Sequence, residues 1–192
     1  ADVYKRQIFH RLPLLIVDEE IEIWQSNAIS RYIAKLTNNI PKDDVMAAYA
    51  DSIFESAHDL FFPLNPTINI FTGDNHINNK KKLIEDILPR AFINFNKLID
   101  KFEGNFFLGE RAYYCDYNVF HHLSLALLID ENILNNYPKL NKFMSDFESQ
   151  NGIKEYLDSR PQLVGIGIKP KVIIDGKEYA LSLIHISEPT RQ

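Results

Sequence analysis

Leu12-Pro13-Leu14-Leu15-Ile16-Val17, the acidic Asp18-Glu19-Glu20, Ile21-Glu22-Ile23-Trp24 and then Gln25-Ser26-Asn27-Ala28-Ile29-Ser30-Arg31-Tyr32-Ile33-Ala34 form the stretch that decides the fold. It reads as strand, turn, strand and helix. Ile21 and Ile23 alternate with Glu22 and Trp24, the period-two pattern of a half-buried strand. Ala28, Ile29, Tyr32, Ile33 and Leu36 recur at helical spacing and are expected to bury one face on the sheet. Two positions suit a small peptide-like anion. A cis proline at Pro13 turns the chain sharply and leaves the backbone of Leu12 free to pair with an extended ligand. The first turn of the helix offers unpaired N–H groups and a positive dipole end, where Gln25 and Ser26 would hold a carboxylate. Taken singly these signals are weak, because X-Pro bonds are usually trans and a Ser at a helix start is usually only a cap.

Outward from this stretch the chain becomes helical. Asn38, Asn39 and Pro41 break the first helix. Met46, Ala50, Ile53, Ala57 and Leu60 then share one stripe. An irregular stretch is expected after Pro63 and Pro66, through Gly73. A long helix bearing Leu83, Ile84, Ile87, Leu88, Phe95, Leu98, Ile99 and Phe102 follows, kinked at Pro89, whose ring clashes with the preceding turn. Phe106-Phe107-Leu108-Gly109 reads as a loop before a buried helix from about Tyr114 to Ile129, with shorter helices over 138–149 and 153–158. Residues 165–179 have no helical pattern, and Asp175-Gly176 is a turn signal, so this part reads as a small hairpin or a loose tail.

The 192 residues suffice for one large or two small domains, and 45% hydrophobic with 12% aromatic residues is enough for a packed core. A net charge of −5 gives no support to nucleic-acid or anionic-membrane binding. Lys80-Lys81-Lys82 reads as a solvated helix face. The single cysteine, Cys115, excludes an intrachain disulfide, fits a reducing compartment, and reads as a core residue. No apolar run approaches the roughly twenty residues of a membrane span. His121-His122 is not a chelating pair, because adjacent helical residues point about 100° apart, and no metal site is expected.

In combination these motifs resemble the cytosolic glutathione transferases. A Pro-x-Leu strand follows an aromatic, here Phe9, and a Gln-Ser pair precedes Ala28-Ile29-Ser30-Arg31-Tyr32-Ile33-Ala34. The Gln-Ser form looks most like the sigma class. Gly109-Glu110-Arg111-Ala112-Tyr113-Tyr114-Cys115-Asp116 resembles the family's Gly-x-x-x-Ser/Thr-x-x-Asp box. Tyr113 stands where the capping hydroxyl belongs, so half the box is expected to be lost at about 1 kcal/mol, while Asp116 still favours the helix start.

The resemblance implies an α+β fold in two parts: the C-terminal half of a thioredoxin-like domain, hairpin plus helix, over 8–37, then an all-helical domain over 38–160 and a tail over 161–180. It implies that Gln25 and Ser26 bind the γ-glutamyl end of glutathione, and that the Leu12 backbone beside cis-Pro13 pairs with its cysteinyl part. Asp59 stands where sigma-like transferases carry an Asp that reaches the ligand of the neighbouring subunit, which implies a homodimer. The second substrate would be a small apolar electrophile, with Phe61, Phe62 and Leu64 as candidates for its side of the site. A cytoplasmic location is expected. A free thiol has a pKa near 8.5, and lowering it by about two units needs roughly 2.7 kcal/mol of differential stabilisation. In the family a Tyr or Ser hydroxyl supplies this, and it is expected upstream of Ile8; Tyr32, Tyr113 and Tyr114 are not expected to take its place. Two alternatives remain: a sigma-type prostaglandin isomerase, or a non-catalytic binding or structural protein of the same fold.

The ends carry a separate signal. Residues 2–7 and 181–186 can be encoded by opposite strands of one short oligonucleotide, which resembles a sequencing-library adaptor. Residues 1–7 and 181–192 are therefore expected to be adaptor-like scar, and the chain to be an internal piece of a longer reading frame.

Overall fold

The computed structural model describes residues 13–181. Leu12, the stretch 1–7 expected to be adaptor-like and residues 182–192 lie outside them. Strands β1 (Leu14–Val17) and β2 (Ile21–Trp24) form an antiparallel hairpin that pairs Leu14 with Trp24 and Val17 with Ile21. Asp18 and Glu19 are both left-handed, with φ of 51° and 62°, and the Glu20 N–H donates to the Val17 carbonyl at 3.1 Å. Such mirror-image turns match the twist of the strands.

Helix α1 (Ser26–Leu36) follows directly. It ends at Asn38, which is left-handed at φ 53°. The Asn39 N–H donates to the Ala34 carbonyl at 2.7 Å and the Asn38 N–H to that of Lys35 at 3.3 Å, closing a Schellman motif. The stripe expected to be buried is largely open: Ile33 is 47% and Leu36 64% exposed, and Ala34 is the buried residue of the helix. The reason is area. A hairpin of two four-residue strands cannot cover an eleven-residue helix, and α1 turns its Arg31 and Ala34 side toward the helical part.

Helix α2 (Asp44–His58) starts on Asp43, whose carboxylate accepts from the Met46 N–H at 2.9 Å. It buries Ala50, Ile53, Phe54 and Ala57. Helix α3 (Phe61–Asn69) occupies part of the stretch expected to be irregular, and it contains both prolines. Pro63 falls in the first turn, where an N–H has no helical acceptor to lose. The Pro66 carbonyl accepts from Ile70 and Phe71, while the Thr67 hydroxyl donates to the Pro63 carbonyl at 2.8 Å.

Helix α4 (Gly73–Lys82), a π-turn over Leu83–Ile87 and helix α5 (Leu88–Leu98) run in succession. The π-turn stands where the Pro89 kink is expected. The Leu88 N–H reaches back five residues to the Leu83 carbonyl, and this wider turn relieves the clash between the Pro89 ring and the carbonyl of Glu85. The loop before α6 crosses itself: Phe106 and Gly109 exchange backbone hydrogen bonds at 2.9 and 3.2 Å.

Helix α6 (Tyr114–Ile129) is the centre of the core, with Cys115, Val119, Leu123 and Ala126 fully buried. Asp116 is buried too, and it accepts from the Phe107 and Tyr113 N–H groups, both at 2.9 Å. Burial pushes its carboxyl up to about 6, against those donors. The Tyr113 side chain caps nothing; the Asp116 N–H bonds to the Tyr113 carbonyl instead. Half the box is kept. Helices α7 (Pro138–Glu148) and α8 (Ile153–Ser159) close the bundle, with Phe107, Phe143 and Phe147 meeting edge-on or tilted.

The tail forms a sheet of β3 (Gln162–Val164), β4 (Lys171–Ile174) and β5 (Lys177–Ala180), antiparallel throughout. Asp175 and Gly176, with φ of 49° and 74°, turn the β4–β5 hairpin.

Candidate functional site

The hairpin, the start of α1, the end of α2 and the middle of α6 enclose a cavity of about 460 Å³. Pro13, Gln25 and Ser26 line it, so the structure brings together three of the five residues expected to hold a ligand. Asp59 is not on its wall; it caps the end of α2 and is exposed. Leu12 lies outside the described residues.

Gln25 is the residue before α1, with φ 72° and ψ 120°. A left-handed φ is uncommon for a side chain this long and costs of order 1–3 kcal/mol. Its carbonyl accepts the first helical bond, from the Ile29 N–H at 3.0 Å, while no side chain caps the helix. The N–H groups of the first turn therefore keep their donor capacity beside Ser26, where an anionic group is favoured.

Helix α1 is fastened by charges. The Arg31 Nε donates to Asp51 Oδ1 at 2.7 Å, and its guanidinium also donates to Glu55. It lies 5.2 Å from the centre of the Phe54 ring, which stacks on Tyr114 at 5.1 Å. The Tyr114 hydroxyl donates to Asp51. Partial burial works against the Asp51 carboxylate, but the Tyr114 hydroxyl and Arg31 hold it below its ordinary range. Burial and then Asp51 push the Tyr114 phenol up, so this hydroxyl is committed to structure. Asn118 adds a bond from α6 to the Phe54 carbonyl at 2.7 Å. The pair Asp51 and Glu55, one turn apart on α2, was the available signal for the Arg31 clamp.

The opposite wall is aromatic. Phe54, Phe61 and Phe62 line it with His58, His121 and His122. Phe61 and Phe62, two of the three residues expected as candidates for the second-substrate side, are on this wall. Leu64 does not: it is fully buried in the core. The sequence offers His121 and His122 only as adjacent, non-chelating residues, yet both border the cavity. Among the described residues no group of three or more potential ligands is arranged to hold a metal ion, and no helix is long and apolar enough to cross a membrane.

A hairpin and helix of thioredoxin-like type joined to a helical bundle is the architecture of the glutathione transferases, and the comparisons agree. Residues 58–160 match the family described as glutathione S-transferase, C-terminal domain. Glutathione S-transferase P of Caenorhabditis elegans is 29% identical over 180 residues, covering 93% of this chain and 82% of that protein. A glutathione S-transferase of Plasmodium yoelii yoelii is 30% identical over 156 residues, covering 81% and 71%. The structure of the Onchocerca volvulus Pi-class glutathione S-transferase superposes with a TM-score of 0.75 at 27% identity, covering 83% of this chain and 75% of that one. This chain belongs to the glutathione S-transferase family.

Proposed function

We propose that the protein is a glutathione transferase in which Gln25 and Ser26 hold the γ-glutamyl carboxylate, with the Leu12 backbone and Pro13 alongside the cysteinyl part. The observation that carries this reading is the convergence of Pro13, Gln25 and Ser26 on one cavity whose far wall is aromatic. Strain at Gln25 supports it, since an unfavourable φ held at a cavity edge needs a reason beyond the fold. The aromatic wall suits a small apolar electrophile. The Gln25-Ser26 form supports a sigma-like class, although relatives with other class names match the chain as well. Asp59, exposed at the end of α2, is free to serve a neighbouring subunit, so the protein is a homodimer in this reading. A cytoplasmic location fits the buried free thiol of Cys115.

The hydroxyl that activates the thiol is expected upstream of Ile8 and lies outside the described residues. The test is calorimetric titration of glutathione into the protein. A charge-assisted hydrogen bond contributes about 1.5–3 kcal/mol, so Ser26→Ala and Gln25→Ala each lower affinity about tenfold or more. Unchanged affinity in both variants, with the fold intact, refutes the assignment.

A further inference from the structure

His122 is the buried polar group that the glutathione reading leaves without a task. It is 2% exposed on α6, and its ring borders the cavity. Its Nδ1 lies 2.8 Å from the Asn118 carbonyl oxygen. A carbonyl only accepts, so Nδ1 must carry the hydrogen. In a neutral imidazole the other nitrogen, Nε2, is then a lone-pair acceptor. Burial pushes the ring's pKa down to about 4, so it is neutral near pH 7. Nε2 is buried and has no hydrogen-bond partner among the described residues. Buried acceptors are nearly always paired, and one left unpaired at a cavity wall calls for an explanation.

The neighbouring side chains indicate how it is reached. The His58 ring stands edge-on to His122, with centroids 6.0 Å apart, and stacks on Phe61 at 5.5 Å. Among the described residues no hydrogen bond ties the His58 side chain, and its contacts are with the rings of Phe61, Phe62 and His122. Rotation of His58 about its side-chain bonds would expose the His122 edge to a ligand lying against the aromatic wall.

We propose that His122 Nε2 is a specificity-determining acceptor: the cavity selects flat, mostly apolar ligands that carry one hydrogen-bond donor, a phenolic hydroxyl or a ring N–H. This rests on the reading of the cavity as the second-substrate side of a transferase. It extends that reading, because an aromatic wall alone would favour apolar electrophiles without regard to a donor.

The experiment compares 1-naphthol with 1-methoxynaphthalene, which share a ring system but differ in the donor. Binding is followed by fluorescence at pH 7 without glutathione, on the unmodified chain first, so the initial comparison needs no variant. A single neutral hydrogen bond makes naphthol bind about tenfold tighter. His122→Phe, with its fold checked by circular dichroism, removes that preference while methoxynaphthalene binding persists. Equal affinity of the two ligands for the unmodified chain overturns the proposal. So does binding of neither, or a preference that survives in a folded His122→Phe or, should that variant not fold, His122→Met. Failure of the glutathione reading would show separately, as unchanged glutathione affinity in the Ser26 and Gln25 variants.

Discussion

Gly104 holds the loop that sets the start of α6, and replacing it should cost more than replacing a positive-φ glycine with open space around it. Its φ is 137°, and a Cβ built there would lie 2.2 Å from the Gly109 carbonyl carbon and 2.6 Å from the Glu110 nitrogen. Both are backbone atoms, so no side chain can turn aside. The unfavourable backbone costs about 1–3 kcal/mol and the forced displacement a similar 1–3. Lower entropy of the unfolded chain returns only about 0.4–1 kcal/mol. Gly104→Ala therefore lowers stability by about 2–5 kcal/mol. Gly176 is the control: its φ is 74°, but a Cβ there meets nothing within 4 Å. Its cost is the left-handed penalty alone, about 1–2 kcal/mol before the same entropy correction. Urea unfolding followed by circular dichroism reads the difference; with a slope of about 2 kcal/mol per molar, the Gly104 variant's midpoint falls by about 1–2.5 M. If Gly104→Ala unfolds at the same urea concentration as Gly176→Ala, the close crossing of the loop is not what fixes it. The consequence reaches the cavity, because this loop supplies the Phe107 N–H that Asp116 fastens, and α6 then presents Asn118, His121 and His122.

Other outcomes follow from the same contacts. The neutral His122 ring contributes stability that is complete above pH 6.5 and is lost as pH falls toward about 4, because the unfolded chain takes up the proton first. Between pH 7 and pH 4 the advantage of the unmodified protein over His122→Phe should shrink by about 3 kcal/mol, read from urea midpoints; a constant gap refutes the burial of a neutral ring. Cys115, fully buried with its thiol pushed up by burial, should react with a disulfide reagent only on unfolding, and rapid labelling of folded protein would contradict the core placement. Tyr114→Phe removes one hydrogen bond to Asp51 and should cost about 0.5–1.5 kcal/mol in thermal or urea unfolding, whereas a neutral effect would show the Arg31 clamp independent of it. Sedimentation should find a homodimer; a monomer with full glutathione affinity would remove the role assigned to Asp59.

Much of the fold was legible because its signals are local. Asp18 to Glu20, Asn38 and Asp175-Gly176 are turn chemistry within a few residues, and each marks a turn or helix end in the structure. The α6 limits at Tyr114 and Ile129 were read from an apolar run beside Asp116, whose side chain does reach the helix start. The prolines misled where tertiary context altered their meaning. Pro63 and Pro66 suggested a break, but one falls in a first turn and the carbonyl of the other collects two donors. Pro89 signalled a distortion, and it takes the form of a wider turn of helix just before the proline, a form the sequence does not encode locally.

At the cavity the division is by distance along the chain. Gln25 and Ser26 are adjacent, so their position at a helix start could be read directly. His58 and His122 lie on different helices, and only the packing of α2 against α6 makes their rings neighbours. The angle of about 100° between His121 and His122 is set within one helix, whereas what either ring faces is set across the bundle. Helical periodicity assigns His122 to a buried face, but it cannot say which of its nitrogens is spoken for. That follows from the Asn118 carbonyl one turn earlier, whose oxygen fixes the proton on Nδ1 and leaves Nε2 as an acceptor beside the cavity. The part of the site that binds an anion is thus written in neighbouring residues, and the part that would discriminate among second substrates is written in contacts between helices.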